Sequence, residues 1–133
     1  MVDTNTVSYI VKGKSHTART RLAGLQQGEI ACISAITEAE LQYRLAKSPR
    51  ASILGPAMEG FLTRIQVLPW GRDEARAYGT LRAKQGAAGK TLGNLDLLIA
   101  AHAISVNATF VTNDKAFSQV PDIQAIVNWA TDL

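Results

Sequence analysis

Gly93-Asn94-Leu95-Asp96-Leu97-Leu98-Ile99-Ala100-Ala101-His102 is the stretch that decides the architecture. One acid, Asp96, stands at the entrance of a segment that runs on through Ala103 and Ile104 with little polar relief. A helix that is apolar nearly all round is a buried helix. An ionised carboxylate pressed against it is costly unless something compensates the charge. A helix N-terminus does so, since Asp in the first turn favours the dipole and Asn94 is available as N-cap. A bound metal ion does so as well. For Asp96 alone the helix end is a sufficient explanation, and a functional role needs further acids elsewhere in the chain.

Short apolar runs alternate with helical stretches on both sides of this segment. Toward the carboxyl end, Ala108-Thr109-Phe110-Val111 reads as a strand followed at once by Thr112-Asn113-Asp114. A short helical turn near residues 115–118 and a weak strand near Ile126 come last. Toward the amino end, Gly86 and Gly89 mark a loop holding Lys90, and Asp73 opens a helix to about Gln85. Gln66-Val67-Leu68 is a short strand before Pro69. Residues 53–65 carry apolar side chains at helical spacing, weakened at the start by Gly55 and Pro56. Residues 29–33 form a compact apolar strand candidate. Ser34 or Thr37 then caps a helix to about Lys47, stopped by Pro49. Ser15 or Thr17 caps an earlier helix closed by Gly28, residues 6–11 form a short amphipathic piece, and Met1-Val2-Asp3-Thr4-Asn5 is the tail of a strand entering a polar turn. This alternation implies βαβ units in an α/β fold of three layers, a parallel sheet with helices on both faces. Residues 1–133 read as a single domain without repeats or linkers.

The 133 residues suit one domain, which buries roughly two-thirds of its unfolded surface. A hydrophobic content of 47% and a mean hydropathy of +0.02 describe a globular chain rather than a disordered one. The single cysteine, Cys32, excludes an internal disulfide and reads as a buried strand residue. Residues 97–113 lack charge, but His102, Ser105, Asn107 and Thr109 interrupt them, which argues against a membrane span. Asp3 stands where a secretory leader carries its basic residues, so the cytoplasm is the expected compartment. The net charge of +3 and pI of about 9.2 permit an anionic partner without proving one.

In open α/β sheets the ligand site lies beyond the carboxyl ends of the strands. Asp3 follows the first strand, Glu40 lies in the helix after residues 29–33, Asp114 follows residues 108–111, and Asp96 opens a helix of the same layer. The four can converge at one edge. Each has a plain alternative: Asp3 and Asp114 can cap turns, and Thr37-Glu38-Ala39-Glu40 matches a capping box. Periodicity does not choose between Glu38 and Glu40 as the acid that faces the site. Several carboxylates cannot ionise side by side without a counter-charge. Mg²⁺ or Mn²⁺, hard cations that take oxygen ligands and bind substrate phosphate, would provide it. A metal-dependent phosphodiesterase follows, and the basic excess suits a nucleic-acid substrate. His16 and His102 make no zinc pattern with Cys32. Phosphate-loop and dinucleotide-binding glycine motifs are missing. Trp70 and Trp129 read as packing residues.

Val2-Asp3-Thr4-Asn5, residues 33–41 (Ile-Ser-Ala-Ile-Thr-Glu-Ala-Glu-Leu), residues 92–101 and Val111-Thr112-Asn113-Asp114 together resemble the PIN-domain family, specifically the VapC-type ribonuclease toxins of bacterial toxin–antitoxin pairs. The resemblance covers nearly the whole chain. It implies a parallel sheet of about five strands, with the short first strand at its centre. It selects Glu40 over Glu38 and assigns catalysis to Asp3, Glu40, Asp96 and Asp114, with Asp3, Asp96 and Asp114 as metal ligands for Mg²⁺ or Mn²⁺. Asn5 and Thr112 match supporting polar positions. The resemblance further implies an RNA substrate, often tRNA, a homodimer, and a cognate VapB-type antitoxin that blocks the site.

Two other readings compete. Asp3-Thr4-Asn5-Thr6 superficially resembles the D-x-D-x-T opening of haloacid-dehalogenase-like phosphatases, although Asn5 replaces the second Asp. The other is a PIN scaffold used for RNA or partner docking without catalysis.

Overall fold

The computed structural model describes residues 1–90 and 92–133. In chain order it contains α1 (Thr4–Val11), α2 (His16–Ala23), β1 (Cys32–Ser34), α3 (Ala35–Ala46), α4 (Ala51–Leu62), β2 (Gln66–Leu68), α5 (Arg72–Ala87), α6 (Asn94–Ser105), β3 (Thr109–Val111), a 3₁₀ helix (Lys115–Gln119) and β4 (Ala125–Val127). β1 pairs in parallel with β2, placing Ile33 opposite Val67, and β3 pairs in parallel with β4, placing Phe110 opposite Ile126.

Residues 1–3 join the two pairs. The Val2 amide donates to the Cys32 carbonyl (2.8 Å), while Asp3 N donates to Val111 O (2.9 Å) and Val111 N to Met1 O (2.8 Å). The order across the sheet is therefore β2, β1, residues 1–3, β3, β4. The five-stranded expectation holds as an arrangement. Four strands are regular and three residues long, and the central one is a single parallel bridge between Val2 and Val111.

Successive side chains of a strand point to opposite faces. Met1, Cys32 and Phe110 accordingly enter one core with Leu81, Leu97, Ile99 and Phe117, under α5 and α6. Their neighbours Val2, Ile33 and Val111 enter the other core with Val7, Leu41, Met58 and Phe61, under α1, α3 and α4. Helices thus cover both faces of the sheet. In α6, packed along α5, Leu97, Ile99, Ala100, Ala101, His102 and Ala103 are buried, whereas Leu95 remains 48% exposed. The apolar run is a buried helix along most of its circumference rather than all of it.

Several boundaries differ from the sequence reading. The amphipathic piece expected at residues 6–11 is α1, which already begins at Thr4, where a polar turn was expected, because Asp3 caps it. The strand expected at residues 29–33 lies at Cys32–Ser34, which leaves Ile30 74% exposed. α2, capped by Ser15, closes at Gly24 instead of Gly28. α4 starts at Ala51 and carries Pro56 inside it.

Candidate active site

Asp3 leaves the central segment and caps α1, its Oδ1 accepting from the Thr6 amide at 2.8 Å. Its Oδ2 accepts from the hydroxyl of Thr112, the residue after β3. The Thr112 hydroxyl in turn accepts from the Asp114 amide at 3.0 Å. Asp114 caps the 3₁₀ helix through Oδ1, which accepts from Ala116 N at 2.9 Å. Capping and site placement are therefore compatible for both acids: the cap engages one carboxylate oxygen and fixes the direction of the group.

Glu40 behaves differently from its capping-box expectation. The N-cap of α3 is Ser34, whose hydroxyl accepts from Ile36 N at 3.1 Å. Thr37 lies inside the first turn, so Glu40 has no cap amide to reach back to. Its Oε1 accepts instead from the Thr4 hydroxyl of α1 at 3.0 Å, and Thr37 Oγ1 lies 3.3 Å from that same hydroxyl. Asp96 is the third residue of α6, in a first turn whose N-cap is Gly93 rather than Asn94, and no side chain caps it.

Asp3, Glu40, Asp96 and Asp114 come from four separate elements and line one cleft of about 200 Å³ with Thr4, Asn5, Arg44, Ile99 and Phe117. The cleft opens at the carboxyl ends of the strands, as the topology requires. Glu38 is not part of it. Arg44 is the residue the sequence reading missed. It stands one turn beyond Glu40 on α3, with Nη1 donating to Asn5 Oδ1 (3.2 Å) and Nη2 4.0 Å from Glu40 Oε2. An i, i+4 Glu–Arg spacing was the available signal.

Burial raises the Asp96 carboxyl above its ordinary value, repulsion from Glu40, Asp114 and Asp3 raises it further, and Arg44 opposes them. Asp3 is raised as well. Its burial outweighs the hydrogen bonds from Thr112 and Thr6, and Asp114 adds to the rise. Such shifts mark a cluster short of positive charge. Among the described residues, no three His, Cys, Asp or Glu side chains already form a cage for an ion. The cleft's donors are carboxylate, hydroxyl and amide oxygens, with no imidazole or thiolate. That set fits Mg²⁺ or Mn²⁺, since Mg²⁺ keeps several waters and takes only one or two carboxylates plus substrate phosphate.

His102 belongs to the scaffold. It is fully buried, its Nδ1 lies 2.7 Å from Ser34 Oγ and its Nε2 3.5 Å from Glu74 Oε1. Burial holds the imidazole below its ordinary pKa, against the pull of Glu74. Because Ser34 already accepts from Ile36 N, its hydroxyl proton is free to go to Nδ1. Trp70 ties β2's end to α6 by donating to Leu98 O at 3.1 Å, and Trp129 is buried in the core under α1 and α4.

Known proteins carry the same frame. The PIN domain model matches residues 1–123. Ribonuclease VapC2 of Rickettsia felis is 35% identical over 97% of this chain and 96% of its own. The tRNA(fMet)-specific endonuclease VapC of Shigella flexneri is 37% identical over 90% of each chain. Among solved structures, VapBC2 from Rickettsia felis, bound to a promoter DNA fragment, aligns with a TM-score of 0.91 at 34% identity, covering 97% of both chains. DNA-bound VapBC from Salmonella typhimurium aligns with a TM-score of 0.88 at 35% identity, covering 97% of this chain and 96% of that one. With the whole frame and its sequence matched at this level, the chain belongs to the PIN domain family, in its VapC branch.

Proposed function

We propose that this chain is an Mg²⁺- or Mn²⁺-dependent endoribonuclease, the toxin of a VapBC toxin–antitoxin pair, with tRNA as its substrate class. The observation that carries this reading is the convergence of Asp3, Glu40, Asp96 and Asp114 in one cleft with two of their carboxyls raised by burial and mutual repulsion. Asp3, Asp96 and Asp114 would hold the metal, which, when bound, offsets charge on the scissile phosphate and supplies an activated water. The chain's own part is positioning. Thr112 and the Thr6 amide fix Asp3, the Ala116 amide fixes Asp114, and Thr4 fixes Glu40. Both Asp3 oxygens are engaged, which suits a fixed ligand and not the attacking nucleophile of an aspartyl phosphatase.

An active ribonuclease needs an inhibitor in its own cell. The VapB-type antitoxin of this reading inserts an Arg among the acids, where a guanidinium pairs with carboxylates. Its tail lies on the apolar groove between α1, α3 and α4, lined by Val11, Leu41, Leu45, Leu54 and Met58. A homodimer acting in the cytoplasm completes the reading. Among the described residues, no helix is long and apolar enough to cross a membrane.

Incubating the purified chain with a tRNA pool in Mg²⁺, Mn²⁺ or chelator tests the reading. Metal-dependent cleavage that Asp96→Asn abolishes is the expected result. Intact RNA in both metals would overturn it, and an acid-labile phosphoprotein formed from a phosphate ester would favour the phosphatase instead.

A further inference from the structure

Among the described residues, the cleft is lined by four acids and one cation, Arg44. It forms only a loose ion pair with Glu40 and no hydrogen bond to it. They stand 4.0 Å apart, the guanidinium side chain is 41% exposed, and the one bond it makes is to a neutral acceptor, Asn5 Oδ1 at 3.2 Å. An Arg side chain carries five N–H donors in a planar fork that matches phosphate geometry. One is used here. Asn5 therefore holds the fork at the mouth of the cleft with most of its donors unspent. Lys12, at the end of α1, lines the groove that Arg44 also lines, and it follows Asn5 by seven residues, on the same helix face. A second cation thus continues from Arg44 along that groove.

A strand of RNA brings more than one phosphate to such a cleft. A metal held by Asp3, Asp96 and Asp114 would offset charge at the phosphate being cleaved, and the next phosphate would meet uncompensated carboxylates unless a cation received it. We propose that Arg44 is a phosphate-binding residue of this cleft, one that receives the RNA phosphate adjoining the scissile one and is held in place by Asn5. This assignment rests on the ribonuclease reading.

Binding of bulk tRNA in Mg²⁺ to protein carrying Asp96→Asn, which keeps the RNA intact, is measured over a salt series with and without Arg44→Ala. The expected result is about ten-fold weaker binding and a salt slope smaller by about 0.7 to 1, as when one RNA phosphate is no longer neutralised. Arg44→Lys, which keeps the charge and gives up the fork, retains the slope with intermediate affinity. In the otherwise unaltered enzyme, Arg44→Ala raises KM about ten-fold and leaves kcat within about two-fold, the signature of lost uniform binding. Unchanged affinity and slope, or a fall in kcat at constant KM, would overturn the proposal and leave Arg44 acting only through Glu40. If the unaltered chain does not cleave tRNA in either metal, the ribonuclease reading fails and this assignment falls with it. Cleavage by the unaltered chain with no binding defect in Arg44→Ala removes this assignment alone.

Discussion

Asp96 and Asp132 each place a carboxylate at the N-terminal end of a helix, and the molecule treats them in opposite ways. Asp132 reaches from the last residues of the chain to α2. It accepts from Ser15 Oγ (2.6 Å), Thr17 Oγ1 (2.7 Å) and the His16 amide (2.9 Å). Those hydroxyl bonds hold its carboxyl far below the ordinary value, with the amides adding to the effect. Asp96 has three acids for neighbours and is raised by burial and by their charge. A helix end alone therefore does not determine the state of an acid. Donors that satisfy a carboxylate make it a structural clasp, and withholding them among like charges leaves it raised and short of positive charge.

Replacing Asp96 should separate these roles most sharply. Asp96→Asn is expected to cut RNA cleavage by at least about 100-fold, as for groups that serve a metal centre, while the melting temperature holds or rises because repulsion is relieved. Glu40→Gln should likewise lose cleavage at little cost in stability, since Glu40 caps nothing. Cleavage assays and thermal melts on the same preparations check both. An active Glu40→Gln protein would return Glu40 to a structural role.

On the structural side, Ser34→Ala removes the cap of α3 and the hydroxyl partner of the buried His102 together. The loss should be about 1–2 kcal/mol in denaturant unfolding. His102 Nε2 makes no hydrogen bond, so the Ser34 hydroxyl is the ring's hydrogen-bond partner among the described residues. A loss below about 0.5 kcal/mol would show the cap to be redundant.

Asp3, Asp96 and Asp114 were legible because each sits just beyond a strand or at a helix start, and topology brings those points to one edge, whereas Glu40, the sixth residue of α3, was told from Glu38 only by the family resemblance. The choice among local devices was not legible. Thr37 and Glu40 spell a capping box, yet β1 runs to Ser34, so the helix begins three residues earlier and Ser34 takes the cap. Pairing with β2 set that register, and no local pattern encodes it. The same shift puts Ile30, apolar and strand-like in sequence, out in solvent. The clasp of Asp132 on Ser15 spans 117 positions, and the Ser34–His102 contact spans 68. Separations of that size are fixed by tertiary packing. Arg44 was nearer to hand, one turn from Glu40, but a Glu–Arg pair at that spacing is equally at home on any solvated helix face.

The smallest expected effect is also the most discriminating, because the two acids should respond to pH with opposite sign. Asp96 is raised in the folded chain, so the unfolded chain gives up this proton first. Its ionisation therefore costs stability progressively as pH rises above 3.8, the unperturbed value, and through the folded one. Asp132 is depressed in the folded chain. Its contribution is fully present above 3.8 and is lost only as pH falls through the lower folded value. Melting temperatures in chelating buffer would be followed for the unaltered chain, Asp96→Asn and Asp132→Ala. The Asp96→Asn advantage should be largest at about pH 7 and shrink toward zero as the pH approaches 3.8. The Asp132→Ala deficit, a few degrees as for one lost cap, should stay constant from about pH 7 to about pH 5. His102, held below its ordinary value by burial, affects all three proteins alike and cancels in the differences. Adding Mg²⁺ should raise the unaltered chain more than Asp96→Asn. An advantage independent of pH would show that charge is not what destabilises the cleft. A deficit shrinking in step with it would mean that both acids respond to the net charge of the molecule rather than to their own surroundings.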